Sequence, residues 1–430
     1  MSAIGYSLSL ALLFVWSLPG TIALRSLLML GALAALALAL KRSDWRTLVR
    51  AAGLPLLLIG ALTLWFIAQS LLLAVEPQWS LDELRGQWLP ALLALLLGLM
   101  LALRAGRLAT AITLVFAAQA AIAVGHSLWH WFDHGELLTQ LVPLTGGKLE
   151  MSFILNLLLA FLTVDLFCRA TGRTPLLRLP FAAVAAVMAL ALVGSILAGA
   201  RNGIIGIGFL GFSAVSLFVL DQSGRLGPRR TLAAAAAIAA ALATLAFLNY
   251  RSDVRWQTFA ETAAIAWDID SHHTWIDGNL WHRPALADGR LVEPSAYTRI
   301  AFIRGGARLI ADQPLGYGYG RNAFAHALRQ RHPDARLGHA HSGWIDLGVG
   351  GGVPALLLWG ALLGGLAWRG WRSFFGRHNV HGLVLFLVAA GFAGRMALDS
   401  VNKDHMLQIF MFLVGILLVQ TSSRHEGDSP

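Results

Sequence analysis

The sequence predicts an all-α polytopic membrane protein, and composition, the length of the apolar stretches and charge placement each support this fold class. Of the 430 residues, 57% are hydrophobic and only 13% are charged, which lies outside the usual range of soluble domains. Apolar stretches long enough to cross about 30 Å of hydrocarbon recur along the whole chain. The net charge of +10 is distributed between these stretches. It forms no single basic stripe, so nucleic acid is not an expected partner.

The apolar stretches predict about twelve membrane-spanning helices. The first stretch lacks a basic segment before it and is followed almost at once by another apolar stretch, so we interpret it as a retained helix and not as a cleaved signal. The approximate predicted spans are residues 4–18, 22–40, 53–75, 88–103, 108–131, 151–168, 180–199, 203–220, 231–249, 343–367, 379–397 and 405–420.

Every second connection between the predicted spans carries arginine or lysine. Cytoplasmic loops are enriched in these residues, so the pattern predicts that both termini are cytoplasmic. The alternate connections are mainly acidic. The basic connections contain Lys41, Arg42, Arg46, Arg50, Arg104, Arg107, Arg169, Arg173, Arg178, Arg225, Arg229, Arg230, Arg369, Arg372 and Arg377.

One connection, residues 250–342, is far too long for a turn, and the predicted orientation places it on the periplasmic side. The predicted domains are transmembrane helices one to nine (1–249), a periplasmic loop domain (250–342), and transmembrane helices ten to twelve with a cytoplasmic tail (343–430). Loops of this length are usually functional or disordered. Aromatic residues and apolar periodicity, notably from Ser295 to Asp312, predict an ordered and partly helical cap over the membrane core.

His341 is the leading candidate for a catalytic residue. It lies in the small, polar stretch Gly338–Ser342, directly before predicted span ten, where a base with a pKa near neutrality can meet a lipid-borne substrate. His339 has the same chemistry and a weaker position. Alternatively, Ser342 caps the helix and both histidines are merely interfacial. The two histidines could also suit a metal ion, but neither a cysteine nor an obvious carboxylate partner accompanies them, so no metal site is expected.

Arginines supply the candidate anion site. Arg201 and Asn202 stand among glycines between spans seven and eight, where the backbone can approach an anion closely. Arginine binds phosphate with two hydrogen bonds and stays charged; alternatively, Arg201 only extends to the membrane surface. The long loop contains eleven arginines and no lysine, which also favours phosphate or carboxylate recognition. Three of them share the predicted loop helix: Arg299, Arg304 and Arg308.

Other polar features are given simpler interpretations. The run Gly316–Gly320 is predicted to be a tight turn and not a nucleotide-binding motif, because no buried strand precedes it. Asp165 and Arg395 lie inside predicted spans and need partners or water. The last outer connection is expected to be a solvated turn with at most an accessory role. Its charged residues are Asp399, Lys403, Asp404 and His405.

Taken together, these residues resemble the O-antigen ligase and polymerase superfamily. The matching architecture is about twelve spans, one large periplasmic loop late in the chain and a histidine that opens the following span. The matching motifs are Gly-Ala-Arg201-Asn, Arg299 followed by Pro314-Leu-Gly-Tyr-Gly, and His341-Ser. Serine stands where asparagine is common after the histidine, and the glycine-heavy run Gly350–Gly352 blurs the match further on.

The resemblance implies a GT-C-like membrane glycosyltransferase of the bacterial inner membrane, with its active site on the periplasmic face. Such an enzyme transfers O-antigen glycan from undecaprenyl diphosphate to a sugar hydroxyl of lipid A–core. The implied reaction inverts the anomeric centre and needs no metal or cofactor. Arg201 and Arg299 would neutralise the diphosphate and His341 would accept or orient the hydroxyl proton. The remaining expected substrate-binding residues are Arg304, Arg308, His339, Ser342 and Asn202.

Two alternatives remain open on the sequence. An O-antigen polymerase or a protein O-oligosaccharyltransferase would use the same donor, and no motif reports the acceptor. A transporter of lipid-linked sugar is less favoured, because transporters tend to place ionisable residues at the membrane midplane. Here the charged residues gather at the outer surface, which favours chemistry over transport.

Overall fold

The computed structural model describes residues 2–104, 108–138, 143–252, 258–277, 281–333 and 335–422, with only part of the side chains between 222 and 252. Arg107, the side chain of Arg225 and the predicted C-terminal tail from residue 423 lie outside the described part. The helices are α1 (Ser2–Val15), α2 (Ile22–Ala37), α3 (Arg42–Leu72), α4 (Pro77–Glu83), α5 (Leu89–Ala102), α6 (Leu108–His134), α7 (Lys148–Ala170), α8 (Phe181–Ala198), α9 (Arg201–Ser252), α10 (Phe259–Trp267), α11 (Pro294–Asp312), α12 (Ala323–Arg329), α13 (Gly343–Arg377), α14 (Val380–Leu398) and α15 (Asp404–Gln420).

The all-α membrane class is confirmed for the residues that the structure describes. Eight helical segments are long and apolar enough to cross a membrane, and three shorter apolar helices accompany them at α1, α2 and α15. The π-helical turn Leu84–Trp88 joins α4 and α5 into one of the long segments. Predicted span nine falls in the second part of α9, beyond a break at Gly227. The total of twelve spans and the GT-C-like fold stay predictions.

The centre of the helix bundle is the close pair α5 and α15. Nearly every side chain of α15 from Met406 to Val419 is buried. A Cβ at Gly98 of α5 would lie 2.1 Å from the carbonyl oxygen of Phe412, and a Cβ at Gly415 would lie 2.3 Å from that of Leu95. Glycines at these two positions therefore let the backbones touch, as small residues do between membrane helices.

The predicted basic connections meet at one end of the bundle, here called the basic end. Arg104 donates to the carboxylate of Asp44 at 2.7 Å. Arg173 bonds Asp221 at 2.6 Å and its Nη1 lies 3.3 Å from Nδ1 of His378. These contacts link connections that are distant in sequence. The basic connections, which alternate with acidic ones along the chain, therefore lie together at one end of the bundle. Its orientation in a membrane stays a prediction.

The cap, defined as residues 258–277, 281–333 and 335–342, forms a second hydrophobic core at the other end of the bundle. Helix α11, predicted from Ser295 to Asp312, extends from Pro294 to Asp312. Its Tyr297 and Phe302 are buried with Trp275 and Phe324. The described part of the long connection is therefore ordered and partly helical, as the sequence predicts. The three domain boundaries stay a prediction.

The predicted turn at Gly316–Gly320 attaches the cap to α13. The backbone N–H of Tyr317 donates to the carbonyl of Val349 at 2.9 Å. Gly316 has a φ of 85°, and a Cβ there would lie 2.3 Å from the carbonyl oxygen of Gly350. A residue with a side chain would collide at this point. The tight turn is confirmed. Its backbone hydrogen bonds to Val349 and Gly350 hold the cap against α13.

The two charged residues expected inside spans both have partners. Asp165 is fully buried and accepts hydrogen bonds from Nε of Arg169 at 2.6 Å and from the backbone of Leu177 at 2.7 Å. Arg395 is 7% exposed and donates to Oγ of Ser152 at 3.0 Å. The expectation that buried charges in the bundle need partners is confirmed for both residues.

Candidate active site

His341 lies in the connection that leads into α13, in a conformation that is uncommon for a residue with a side chain. Its φ is 51°, and Nδ1 of its ring is buried without a hydrogen-bond partner among the described residues. The ring is parallel to that of Phe302 on α11, with centroids 6.1 Å apart and 4° between the planes. Backbone strain and unpaired buried nitrogens both cost free energy, and such costs cluster at functional sites.

Asp346, in the first turn of α13, holds the residue before His341. The backbone N–H of Ala340 donates to Oδ1 of Asp346 at 2.8 Å. The second carboxylate oxygen accepts a short hydrogen bond from Oγ of Ser400. Asp346 is 6% exposed and Ala340 is fully buried. The strained conformation of His341 is therefore fixed by a buried hydrogen bond on its N-terminal side.

Ser342 fixes the other side of His341. It occupies the N-cap position of α13, as one sequence alternative predicts, but its side chain forms no capping hydrogen bond. Oγ donates instead to the carbonyl of Met396 on α14 at 3.2 Å. Next to it, the N–H of Gly343 donates to the carbonyl of Asp399 at 3.0 Å. Ser342 thus attaches the start of α13 to the end of α14.

Burial and neighbouring charges favour a neutral imidazole at this position. The pKa of His341 is lowered mainly by burial and then by the positive charge of Arg299, while Asp399 acts in the opposite direction and Lys403 adds a smaller lowering. Burial, Lys403 and His341 lower the pKa of His339 to about 3. The two rings lie 4.4 Å apart. A neutral imidazole has one nitrogen that can accept a proton, which is the form that a general base requires.

Arg299 stands one helical turn before Phe302 on α11 and reaches towards the bundle. Its Nη1 lies 3.5 Å from Oδ1 of Asn202, at the upper limit of a hydrogen bond. Asn202 is 4% exposed and is held by its own bond to the carbonyl of Leu398 at 3.1 Å. The guanidinium of Arg299 has no other hydrogen bond within the described part of the chain. It therefore has donors available for an anion.

Arg201 is the first residue of α9 and contacts the start of α11. Its Nη2 lies 3.2 Å from Oε1 of Glu293, and the two side chains are 30% and 10% exposed. Glu293 also caps α11 by accepting from the backbone N–H of Ala296 at 2.5 Å. Neighbouring residues of α9 thus contact both Glu293 and Arg299. The structure brings Arg201, Asn202, Arg299 and His341 together between α9, α11 and the start of α13.

The other two arginines of α11 point elsewhere. Both terminal nitrogens of Arg308 bond the carboxylate of Asp270 at 2.5 Å, in an exposed pair. The guanidinium carbon of Arg304 lies 5.3 Å from the ring centre of Trp267. Arg304 is about 140° round the helix from Arg299 by the helical period. The structure does not bring this pair to His341, and their expected part in substrate binding stays a prediction.

The prediction of a solvated turn after α14 is wrong for Asp399, the first charged residue of that turn. Asp399 is 3% exposed, and Oδ2 of its carboxylate lies 3.8 Å from Nη2 of Arg395. Lys403 is only half-exposed and near enough to act on both histidines. The cap and the start of α13 cover this turn, which local polarity could not reveal. One signal was present in the sequence: Asp399 stands four residues after Arg395, the spacing of a helical ion pair.

Glu293 and Asp346 received no role from the sequence, and Lys403 was given at most an accessory one. Glu293 and Lys403 act on residues that are distant in the chain, so spacing does not disclose them. Asp346 carried the one usable signal, because a carboxylate in the first turn of a helix is favoured by the helix dipole. Asp346 also stands only five residues after His341, within reach of a local supporting contact.

An apolar cavity of about 180 Å³ lies in the bundle beside the arginine cluster, between α7, α9 and α14. Its lining is mostly aliphatic and aromatic, with Phe209 and Phe392 among the larger side chains. Polar atoms come from Asn202, Arg395 and Asn156. The cavity therefore combines a hydrocarbon-lined space with an asparagine that also contacts Arg299.

Comparison with protein-family models gives a match over part of the chain. Residues 186–360 match the protein-family model described as O-antigen ligase. The match covers less than half of the chain but contains every residue that the sequence suggested for the site, from Arg201 to Ser342. It begins within α8 and ends in α13, so α14 and the buried Asp399 lie outside it. Comparison with curated protein sequences gives no match.

Proposed function

We propose that this chain, which carries an O-antigen ligase domain over residues 186–360, transfers a glycan from undecaprenyl diphosphate to a sugar hydroxyl of lipid A–core. The reaction completes lipopolysaccharide at the periplasmic face of the bacterial inner membrane, with both chain termini in the cytoplasm. The observation that carries the proposal is Nδ1 of His341, which is buried with no hydrogen-bond partner among the described residues, while the charge of the weakly bound guanidinium of Arg299 acts on the same ring.

His341 acts as the base that activates the acceptor. The nitrogen of the neutral ring that carries no hydrogen accepts the proton of the acceptor hydroxyl. The hydroxyl oxygen forms the new bond to the anomeric carbon, and the bond from that carbon to the diphosphate breaks with its electron pair leaving on the diphosphate. A direct displacement of this kind inverts the anomeric centre. It needs no covalent enzyme intermediate.

Arg201 and Arg299 stabilise the departing diphosphate. Two guanidinium groups supply fixed positive charge where negative charge grows in the transition state, and they present paired donors that match phosphate oxygens. Arg299 has donors available, whereas Arg201 must exchange its contact with Glu293 for the phosphate. Glu293 keeps its backbone cap on α11, so this exchange leaves the helix start supported. The proposed transfer is independent of a metal ion.

The apolar cavity between α7, α9 and α14 suits the first isoprene units of the carrier lipid. A chain entering beside Phe209 and Phe392 would bring its diphosphate to Asn202, which contacts Arg299. The space of about 180 Å³ accommodates only the beginning of a polyprenyl chain. The rest of the carrier extends into the surrounding lipid.

The test is transfer with purified components: the protein in detergent, a lipid-linked O-antigen donor and lipopolysaccharide that lacks O-antigen, with a chelator present. The expected product is lipopolysaccharide carrying O-antigen, seen as higher bands on a gel. Growth of the lipid-linked glycan instead would identify a polymerase. Transfer to a protein acceptor would identify an oligosaccharyltransferase. No conversion of the donor with any of these acceptors would overturn the proposal.

A further inference from the structure

A second cavity, of about 740 Å³, opens at the basic end of the bundle, far from His341. It lies between α3, the end of α5, the end of α13 and the end of α15. Among the described residues that line it there is no carboxylate. The cationic lining residues are Arg50, Arg369, Arg372 and Arg377.

The kink in α3 separates the two kinds of wall that this cavity has. Gly53 breaks the helix with a φ of 47°, and Pro55 follows inside it. The part before the break carries Arg46 and Arg50, one turn apart on one face. The part after it is apolar and supplies Leu54 and Leu58 to the lining. Cationic and hydrocarbon surfaces therefore adjoin within one groove.

Arg369 is built into the groove by the end of α15. Its Nε donates to Oγ1 of Thr421 at 3.2 Å and its Nη2 donates to the carbonyl of Leu418 at 2.8 Å. A third, short bond joins Nη2 to Oγ of Ser422. Carbonyl groups at the end of a helix lack partners within the helix, so Arg369 satisfies one of them. Its charge is thereby held at a fixed position in the groove.

The remaining three arginines have no such partner. Arg50, Arg372 and Arg377 are exposed and form no ion pair with another residue in the part of the chain that the structure describes. Four like charges around one cavity repel each other, and an anion between them removes that repulsion. The groove therefore has the charge of a phosphate-binding site.

The apolar wall selects among anions. Leu54 is 62% exposed and Trp368 is 60% exposed at the edge of the groove. Both lie in apolar helices that face outwards from the bundle, where acyl chains would surround them. A free phosphate would use the arginines and leave this wall bare. A molecule with a phosphate attached to hydrocarbon chains would cover both surfaces.

We propose that this groove binds the headgroup of an anionic phospholipid from the leaflet at the basic end, with its acyl chains along Leu54, Leu58 and Trp368. Basic pockets between membrane helices are a common means of binding such headgroups. The bound lipid joins α3, α13 and α15. It stabilises the bundle at the end opposite the candidate active site, independently of the transfer reaction.

The test is a thermal unfolding titration of the purified protein in a non-ionic detergent. Phosphatidylglycerol is expected to raise Tm in a saturable way, because it binds the folded state. Phosphatidylcholine and inorganic phosphate at the same concentrations are expected to leave Tm unchanged. The triple variant Arg50→Gln, Arg372→Gln, Arg377→Gln should bind phosphatidylglycerol on the order of 100-fold more weakly, because each lost charge weakens binding about fivefold.

The matched control removes the same charge at the same end: Arg42→Gln, Arg178→Gln, Arg230→Gln, all exposed and outside the groove. It should keep the response of the wild type. If both triple variants lose the Tm response to phosphatidylglycerol equally, the effect is one of general charge and the proposed site is overturned. A Tm rise with inorganic phosphate alone would identify a soluble anion instead. If the triple variant unfolds during purification, the single reversal Arg372→Glu must still weaken the lipid response, and an unchanged response would refute the proposal.

Discussion

The carboxylate of Asp346 accepts a hydrogen bond from the backbone N–H of Ala340 at 2.8 Å, so the first turn of α13 holds the residue that precedes His341. The same carboxylate also accepts from Oγ of Ser400, after α14. One buried side chain thus connects the cap, α13 and the turn that contains Asp399. In the proposed mechanism Asp346 is a positioning residue, because it acts on the acceptor only through His341.

Replacement of Asp346 should therefore impair transfer without removing any group that touches substrate. Asp346→Ala is expected to lower the rate roughly 10- to 100-fold, since small misplacements of a catalytic group have effects of that size. Asp346→Asn keeps one oxygen for Ala340 and should retain more of the rate. Single-turnover transfer measures both variants. A fall in apparent donor affinity with an unchanged rate constant would assign Asp346 to donor binding and not to positioning.

The two arginines should tolerate lysine poorly. Arg201→Lys and Arg299→Lys each keep a positive charge but lose the planar fork, so transfer is expected to fall on the order of 100-fold in each variant. Initial rates at saturating acceptor provide the measurement. Arg290→Lys is the control, because Arg290 forms an exposed pair with Asp288 within the cap. Wild-type rates for both of the first two variants would make these arginines structural.

The transfer rate should fall on the acidic side of its pH profile only below pH 6.5. Burial first, and then the charge of Arg299, lower the pKa of His341 from its ordinary value of 6.5. The neutral base therefore predominates at pH 7 and is lost as the pH falls through the lowered pKa. Transfer rates between pH 4.5 and 8, with protein integrity checked at each pH, report this limb. A limb above pH 6.5 would contradict the electrostatic description of the site.

Two neighbouring charges should move that limb in opposite directions. Lys403 lowers the pKa of His341 and Asp399 raises it. Lys403→Gln is therefore expected to shift the acidic limb upwards, and Asp399→Asn to shift it downwards. A merely structural role for either residue would change the maximal rate and leave the position of the limb where it was.

Arg308 offers a test of the expected substrate-binding set. It is held by Asp270 in an exposed pair on the cap, and by the helical period it lies about 180° round α11 from Arg299. Exposed pairs contribute little, so Arg308→Gln should change the transfer rate by less than about twofold, whereas Arg299→Gln should be severely impaired. Donor titrations of the two variants side by side make the comparison. A large loss for Arg308→Gln in a folded protein would show that substrate reaches the outer face of α11.

Much of the architecture follows from the sequence because hydrocarbon imposes a simple rule. In hydrocarbon, backbone N–H and C=O groups must form hydrogen bonds within the protein, so long apolar stretches predict helices. Outside the predicted spans, the apolar periodicity of α11 predicts its helix. The breaks at Gly53 and Gly352 were not predicted. They depend on what packs against the helix, as the contact of Gly352 with Pro314 illustrates, since a Cβ would lie 2.4 Å from that carbonyl oxygen.

The sequence predicts the main residues of the candidate site but not the residues that hold them in place. Arg201, Arg299 and His341 each stand out locally, through an isolated charge or a boundary position. Their relation to Glu293 and Asp399 arises only when α9, α11 and α14 meet, across separations in sequence that no local pattern reports. The error at Asp399 has the same origin, because polarity next to a span indicates solvent until a cap is found to cover it.

Replacement of His341 separates the transfer step from donor binding. His341→Ala should bind the lipid-linked donor about as tightly as the wild type, because the arginines and the apolar cavity are retained, while single-turnover transfer falls by about 100- to 10,000-fold. The control His341→Gln keeps a polar side chain without a base and should be equally slow. Transfer at a near-normal rate by a folded His341→Ala protein would remove this histidine from the mechanism and contradict the account.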